Sequence, residues 1–125
     1  MKTFKDYFKF PLVYDDGLVF TSDYGRAFDF PLHYLYPNAV NLTEESQQKI
    51  VELLNNPTIK FEPKTHLNLR FDEDNAIIYQ DDKEFIIIRG WGHLTGCGAL
   101  NLDGQTATKI QNEFAYYIVE TLNKY

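Results

Sequence analysis

Hydrophobic and polar positions along this chain follow two different periods, which divides it into strand-like and helix-like stretches. Leu12-Val13-Tyr14, Leu18-Val19-Phe20 and Ala27-Phe28-Asp29-Phe30 are short runs rich in β-branched and aromatic residues. Asp15-Asp16-Gly17 and Asp23-Tyr24-Gly25 separate them, so the pattern predicts a three-strand meander. Asp-Gly between two such runs is a hairpin signal, because a type I′ turn needs positive φ at both central residues; Gly17 is expected to have it. Upstream, Phe4 to Phe10 also reads as extended, with Phe8 and Phe10 on one face and Tyr7 and Lys9 on the other. Pro11 limits that segment to an edge strand or a bend.

The second half repeats the theme. Leu67, Leu69 and Phe71 alternate with His66, Asn68 and Arg70, and Thr58 to Phe61 forms a shorter strand candidate. Ala76–Gln80 and Glu84–Arg89 are expected to form a hairpin around Asp81-Asp82-Lys83. The unbroken Phe85-Ile86-Ile87-Ile88 run predicts a central strand buried on both faces. Two stretches instead show the 3.6-residue period. Thr43 is the N-cap of a helix whose Gln47, Ile50, Leu53 and Leu54 share a face, stopped by Asn55-Asn56-Pro57. Asp103 caps a longer one with Ala107, Ile110, Phe114, Tyr117, Ile118, Thr121, Leu122 and Tyr125 in one stripe. Ala99-Leu100-Asn101-Leu102 leads into it as a short strand or a helix lead-in. Pro31 to Val40 is apolar but broken by Pro31 and Pro37, so it is read as a loop over the core or a lid on a pocket. These elements predict an α+β fold, a mostly antiparallel sheet of about six strands with two helices packed against it. The chain is read as one domain over residues 1–125, with no sequence repeat and no linker.

Composition narrows the function. Aromatic residues make up 16% of the chain, which favours a β-rich core. The formal net charge of −6 gives no basic footprint for phosphate backbones, so nucleic acid is not an expected partner. One cysteine fits a reducing compartment, and no signal peptide or membrane-spanning run is present in the pattern, so a cytoplasmic protein is expected.

The most unusual stretch is Arg89-Gly90-Trp91-Gly92-His93-Leu94-Thr95-Gly96-Cys97-Gly98, which holds four of the seven glycines and the only tryptophan and cysteine. It is not a dinucleotide fingerprint: the helix begins only near Asp103 and no βαβ unit follows. No Gly-Lys-Ser/Thr follows to make a phosphate loop. Nucleophilic Cys97 would need a histidine and an orienting group that the sequence does not select, so Cys97 is read as a packed residue. His33, His66, His93 and Cys97 lack zinc-ligand spacing, and the aspartates at 15, 16, 81 and 82 are explained by turns. No cofactor and no metal are therefore expected. If Arg89 to Leu94 stays extended, Arg89, Trp91 and His93 line one face opposite Gly90 and Gly92. Arg and Trp are common binding hot spots. The alternative places Trp91 in the core end and Arg89 against an acid. Glycine weakens a buried strand, so at least two of Gly90, Gly92, Gly96 and Gly98 are expected to adopt backbone conformations that cost other residues energy, the cause being a sharp chain reversal or close approach by a partner. Tyr116 sits mid-way along the polar face of the last helix.

The run from Arg89 to Leu102, continued by Ile110-Gln111-Asn112-Glu113-Phe114, resembles the C-terminal part of small uncharacterised proteins of bacterial mobile elements and prophages. The resemblance covers the last third of the chain, implies no activity and no catalytic residue, and points towards an accessory or regulatory role. The expected function is a non-enzymatic protein-interaction module binding another protein or a second copy of itself. Its binding residues are Arg89, Gly90, Trp91, Gly92, His93 and Tyr116. The competing expectation is a small-ligand domain or minor enzyme with the Arg89–Gly98 stretch as a pocket wall. A deep pocket joining Arg89, Trp91 and His93 would favour the ligand; an open face on the last helix would favour the protein.

Overall fold

The computed structural model describes residues 3–32, 35–58, 67–96 and 102–124. The hairpin signals are realised as antiparallel strands. β1 (Val13–Asp15) and β2 (Leu18–Phe20) meet at a turn where Asp16 has φ 49° and Gly17 φ 86°, the two positive values that Asp-Gly was expected to supply. β3 (Arg26–Asp29) completes the first meander. β4 (Leu69–Asp72), β5 (Ile77–Gln80) and β6 (Lys83–Ile88) form the second. The strands make one six-stranded sheet in the order β1-β2-β3-β6-β5-β4, antiparallel throughout. Phe85 to Ile88 are all buried, as an uninterrupted apolar run in a central strand should be.

Three helices complete the α+β fold. α1 (Glu44–Asn55) is capped by Thr43, whose hydroxyl accepts from the Ser46 amide. α2 (Gly90–Thr95) is a short helix, and α3 (Gly104–Leu122) is capped by Asp103 through the Thr106 amide. The stripe of α3 (Ala107, Ile110, Phe114, Ile118, Leu122) and the face of α1 (Ile50, Leu53, Leu54) share one core with Phe28 and Ile86. Both long helices therefore lie on the same face of the sheet.

One expectation needs correction. Phe4 to Phe10 is not a strand. Thr3 and Asp6 close a reciprocal capping box around a 3-10 turn at Phe4–Asp6, which satisfies the local amides and leaves nothing for a ladder. The aromatics then act as anchors: the Phe8 ring stacks on Phe114 at 4.3 Å and Phe4 lies 5.1 Å from Tyr117. The Thr58–Phe61 strand candidate and most of the Ala99–Leu102 segment lie outside the described residues.

The order of elements also has a symmetry. No repeat is visible in the sequence, yet the chain runs three strands then a helix, twice, with the two meanders meeting at the β3–β6 seam. The correspondence extends to one device at each end. Asn55, the last residue of α1, accepts from the Leu12 amide (2.6 Å) and donates to the Leu12 carbonyl (2.9 Å) beside edge strand β1. Asn123, which caps α3, does the same for Leu69 of edge strand β4 at 2.7 and 3.0 Å. A carboxamide carries one donor and one acceptor in the geometry of a peptide, so each asparagine supplies one residue's worth of ladder to an edge whose outward groups have no strand to pair with.

Removing either clamp leaves a partly buried amide and carbonyl unpaired. We expect Asn55→Ala and Asn123→Ala each to lower unfolding free energy by about 1–2 kcal/mol. The sites lie on opposite edges, about 24 Å apart for five strand spacings, so the double variant should show the sum to within about 0.5 kcal/mol. Urea unfolding of the three variants checks this, and a loss near zero for both single changes would remove the clamps from the account.

Candidate functional site

The glycine-rich stretch is helical, not extended, and this redistributes every side chain expected to share a face. Arg89 (φ −121°, ψ 1°) turns the chain out of β6, and its amide donates to the Ala27 carbonyl at 3.0 Å. In the helix that follows, Gly90 and Leu94 are one turn apart and both buried, while Trp91 and Thr95 are one turn apart on the outside. Nothing local favours this helix: it contains two glycines and no side chain caps its start. Packing imposes it. A Cβ on Gly90 would collide with the Phe8 ring, and a Cβ on Gly25 would collide with the imidazole of His93. Two glycines thus make room for two rings of this same chain.

The expected binding residues end up in three places. Arg89 points to the buried carboxylate of Asp29, its Nε 3.0 Å from Oδ2, as in the alternative that paired it with an acid. His93 turns inward, its Nε2 3.2 Å from the Tyr7 carbonyl and its ring 6.2 Å from Phe8. Trp91 is 47% exposed, so the indole does not plug the core. Arg89 and Trp91 line different concavities, and His93 lines neither of them. None of Gly90, Gly92 and Gly96 has positive φ, which corrects the expected backbone cause; close approach accounts for Gly90 and Gly96, and Gly92 faces open space. Cys97 and Gly98 lie outside the described residues, as do His33 and His66.

Trp91 and Tyr116 do come together. They border an open groove of about 880 Å³ along the outer face of α3, with Gln105, Lys109, Asn112 and Glu113 between them. Tyr116 is 40% exposed and fixed in place. Its hydroxyl donates to Glu73 Oε2 at 2.6 Å and its ring meets Phe71 edge-on at 5.4 Å. Asn112 donates to the other Glu73 oxygen at 2.9 Å. Glu73, in the β4–β5 turn, was missed by sequence reasoning because it acts across 43 residues of chain. The surface continues past Tyr116 to a second shallow groove with Phe4, Tyr117 and Glu120.

The second concavity lies on the other face of the sheet. Phe28 and Ile88 pair across the β3–β6 seam towards the helices, so Asp29 and Ile87, the next pair, face away from them. There Pro31, Leu32, Leu35 and Tyr36 with Leu18 and Ile87 wall a pocket of about 280 Å³. Val40, at the far end, donates to the Glu84 carbonyl at 2.9 Å. Among the described residues no group of three or more His, Cys, Asp or Glu is placed to hold a metal, and no helix is long and apolar enough to cross a membrane.

Comparison with family models, with curated proteins and with solved structures finds no match to this chain, so the two concavities are read from their chemistry.

Tyr116 and Tyr117 at the grooves, and Tyr14 against Gln47 of α1, titrate above their ordinary value. Burial is the leading cause for Tyr14 and Tyr117, and the hydrogen bond to Glu73 for Tyr116. A folded value raised above the unfolded one means stability that is complete below the unfolded value and lost as pH rises through the folded value. Unfolding free energy should therefore begin to fall once pH passes about 10, with part of the tyrosinate absorbance appearing only above that point. All nine tyrosines titrating together would contradict it. The glycines give a sharper test. Gly90→Ala should cost about 1–3 kcal/mol through overpacking against Phe8. Gly92→Ala should be neutral or stabilising by up to about 1 kcal/mol. Equal melting temperatures for the two variants would refute the packing account.

Proposed function

We propose that this chain is a non-enzymatic interaction module, an accessory protein that binds another protein through the outer face of α3. The observation that carries this reading is the Trp91–Tyr116 groove. Two large aromatics, each roughly half exposed, flank an open surface on two packed helices. Tyrosine and tryptophan supply much contact area for few rotatable bonds, and a ring already held by Glu73 and Phe71 loses little freedom on binding. An open, elongated surface suits a protein segment better than a small molecule, which needs to be enclosed.

The partner's chemistry follows from the charges. Glu113 borders both grooves and Glu120 the second, while Lys109 lines the first and the Lys5 ammonium lies 5.1 Å from the Tyr117 ring beside the second, on a chain of net charge −6. A partner segment with apolar anchors and basic flanks is the complement. A second copy of this chain would set acid against acid, so self-association is the weaker case.

Trp91 is the sole tryptophan, which makes it a native reporter. The expected result is that a protein captured on the immobilised chain, once purified, shifts or quenches Trp91 emission at one-to-one stoichiometry. In titration calorimetry, which does not need the indole, Trp91→Ala and Tyr116→Ala should each weaken binding by about 30-fold or more, as hot-spot truncations do; Trp91→Ala should keep its melting temperature, while Tyr116→Ala also gives up its bond to Glu73 and is compared at a temperature where circular dichroism shows it folded. Undiminished binding by both variants would overturn the assignment of this face. A concentration-dependent dimer in sedimentation, abolished by Trp91→Ala, would replace the foreign partner with a second copy.

A further inference from the structure

Away from the α3 groove, on the opposite face of the sheet, the pocket walled by Pro31, Leu32, Leu35 and Tyr36 has a floor built from charge. Asp29 is buried, with 8% of its surface exposed. Its carboxylate accepts three hydrogen bonds from two guanidinium groups. Arg26 gives two, from Nε to Oδ1 at 3.0 Å and from Nη2 to Oδ2 at 2.7 Å. Arg89 gives one, from Nε to Oδ2 at 3.0 Å. Arg26 is spent in this fork-to-fork pairing. Arg89 is not: it donates through Nε alone, and its two terminal nitrogens make no hydrogen bond among the described residues. Two cations around one anion leave one positive charge in excess, and Arg89 is the member of the pair that lines the pocket.

We infer that this pocket binds a small monocarboxylate with an apolar body, its carboxylate taken by the free Nη1–Nη2 edge of Arg89. The guanidinium is planar, so one bond from Nε to a buried, rigidly held acceptor fixes the plane of the whole group. The opposite edge then presents two parallel N–H donors at the spacing of two carboxylate oxygens. Asp29 thus positions Arg89 in place of neutralising it. The walls decide the rest of the ligand. Leu18, Pro31, Leu32, Leu35 and Ile87 offer apolar surface, with Tyr36 as the aromatic. A volume of about 280 Å³ admits a compact body only.

A phosphate or dicarboxylate fits less well. The lining includes no lysine among the described residues, and Asp16 at the hairpin tip borders the mouth, offsets the second guanidinium charge and so leaves nothing to balance a second anionic group. The same chemistry is offered by a free organic acid and by the C-terminal carboxylate of a peptide ending in an apolar residue. The site shares no lining residue with the α3 groove, so either assignment stands or falls without the other.

Amide-resolved NMR titration of the full chain tests the inference. The probes are phenylacetate and 4-methylpentanoate, their uncharged primary amides, and an N-acetylated peptide ending in leucine. The acids should produce saturable shifts at Leu18, Leu35, Tyr36 and Ile87, and the amides should bind about tenfold weaker or worse. Arg89→Lys retains the charge but loses the two-pronged edge, and should weaken the acids by a similar factor. Leu35→Glu, at a position 61% exposed, puts a carboxylate in the wall and should abolish binding without touching the fold. Tighter binding of the peptide than of the free acids would identify a chain terminus as the source; binding of the acids alone would identify a small metabolite. Equal affinity for acids and amides, no saturable shifts with any probe, or wild-type affinity in Leu35→Glu would overturn the site. Should Arg89→Lys fail to fold, the comparison of acid with amide on the native chain and the Leu35→Glu result still decide.

Discussion

Everything in this fold hangs on one short seam. β3 and β6 pair through two residue pairs only, Phe28 with Ile88 and Asp29 with Ile87, and these join two three-strand meanders into one sheet. A two-pair junction would be weak by its ladder alone. It is reinforced at its end by the Arg89 amide on the Ala27 carbonyl and by the Arg89–Asp29 ion pair. On the helix side it is covered by Phe28 and Phe114, with Phe8 stacked on the latter. Burial of each such ring contributes about 2–3 kcal/mol, more than a single exposed ion pair supplies, so the aromatic cluster is the main reason the halves stay together.

The same seam sends side chains to both faces of the sheet. Arg89 leaves β6 towards the Asp29 side, and two residues later Trp91 emerges beside α3 on the helix side. The pivot is α2, held by the fit of Phe8 over Gly90 and of His93 over Gly25. A small element locked by packing gives both side chains a fixed direction, which a flexible loop would not. Meanwhile Asn55 and Asn123 each pair the amide and carbonyl of one residue at the two sheet edges, Leu12 and Leu69.

Much was legible from the residues. The Asp16-Gly17 hairpin, the buried Phe85–Ile88 strand, the Thr43 and Asp103 caps and the α3 stripe each rest on local rules of turn chemistry, periodicity or capping. Those rules act within a few residues, and for these segments local preference and tertiary packing agree. The class of fold followed from adding such elements together. The sequence also marked Trp91 and Tyr116 as unusual, one as the lone indole in a glycine-rich run and the other as an aromatic on a polar helix face.

What only the tertiary structure decided are the features whose cause lies far along the chain. Residues 4–10 alternate like a strand, but a capping box and the pull of Phe8 into the core make them a turn and an anchor. Gly90 to Thr95 lacks every local helix signal, and becomes a helix because Phe8, 82 positions away, fills the space a side chain would occupy. That change of period separated Arg89, Trp91 and His93, which an extended reading had placed on one face. The doubled three-strand-and-helix plan, the asparagine clamps and the Glu73–Tyr116 bond depend likewise on partners tens of residues apart. Periodicity and capping are properties of neighbours in sequence, whereas a close approach or a hydrogen bond across the fold is a property of the folded chain as a whole.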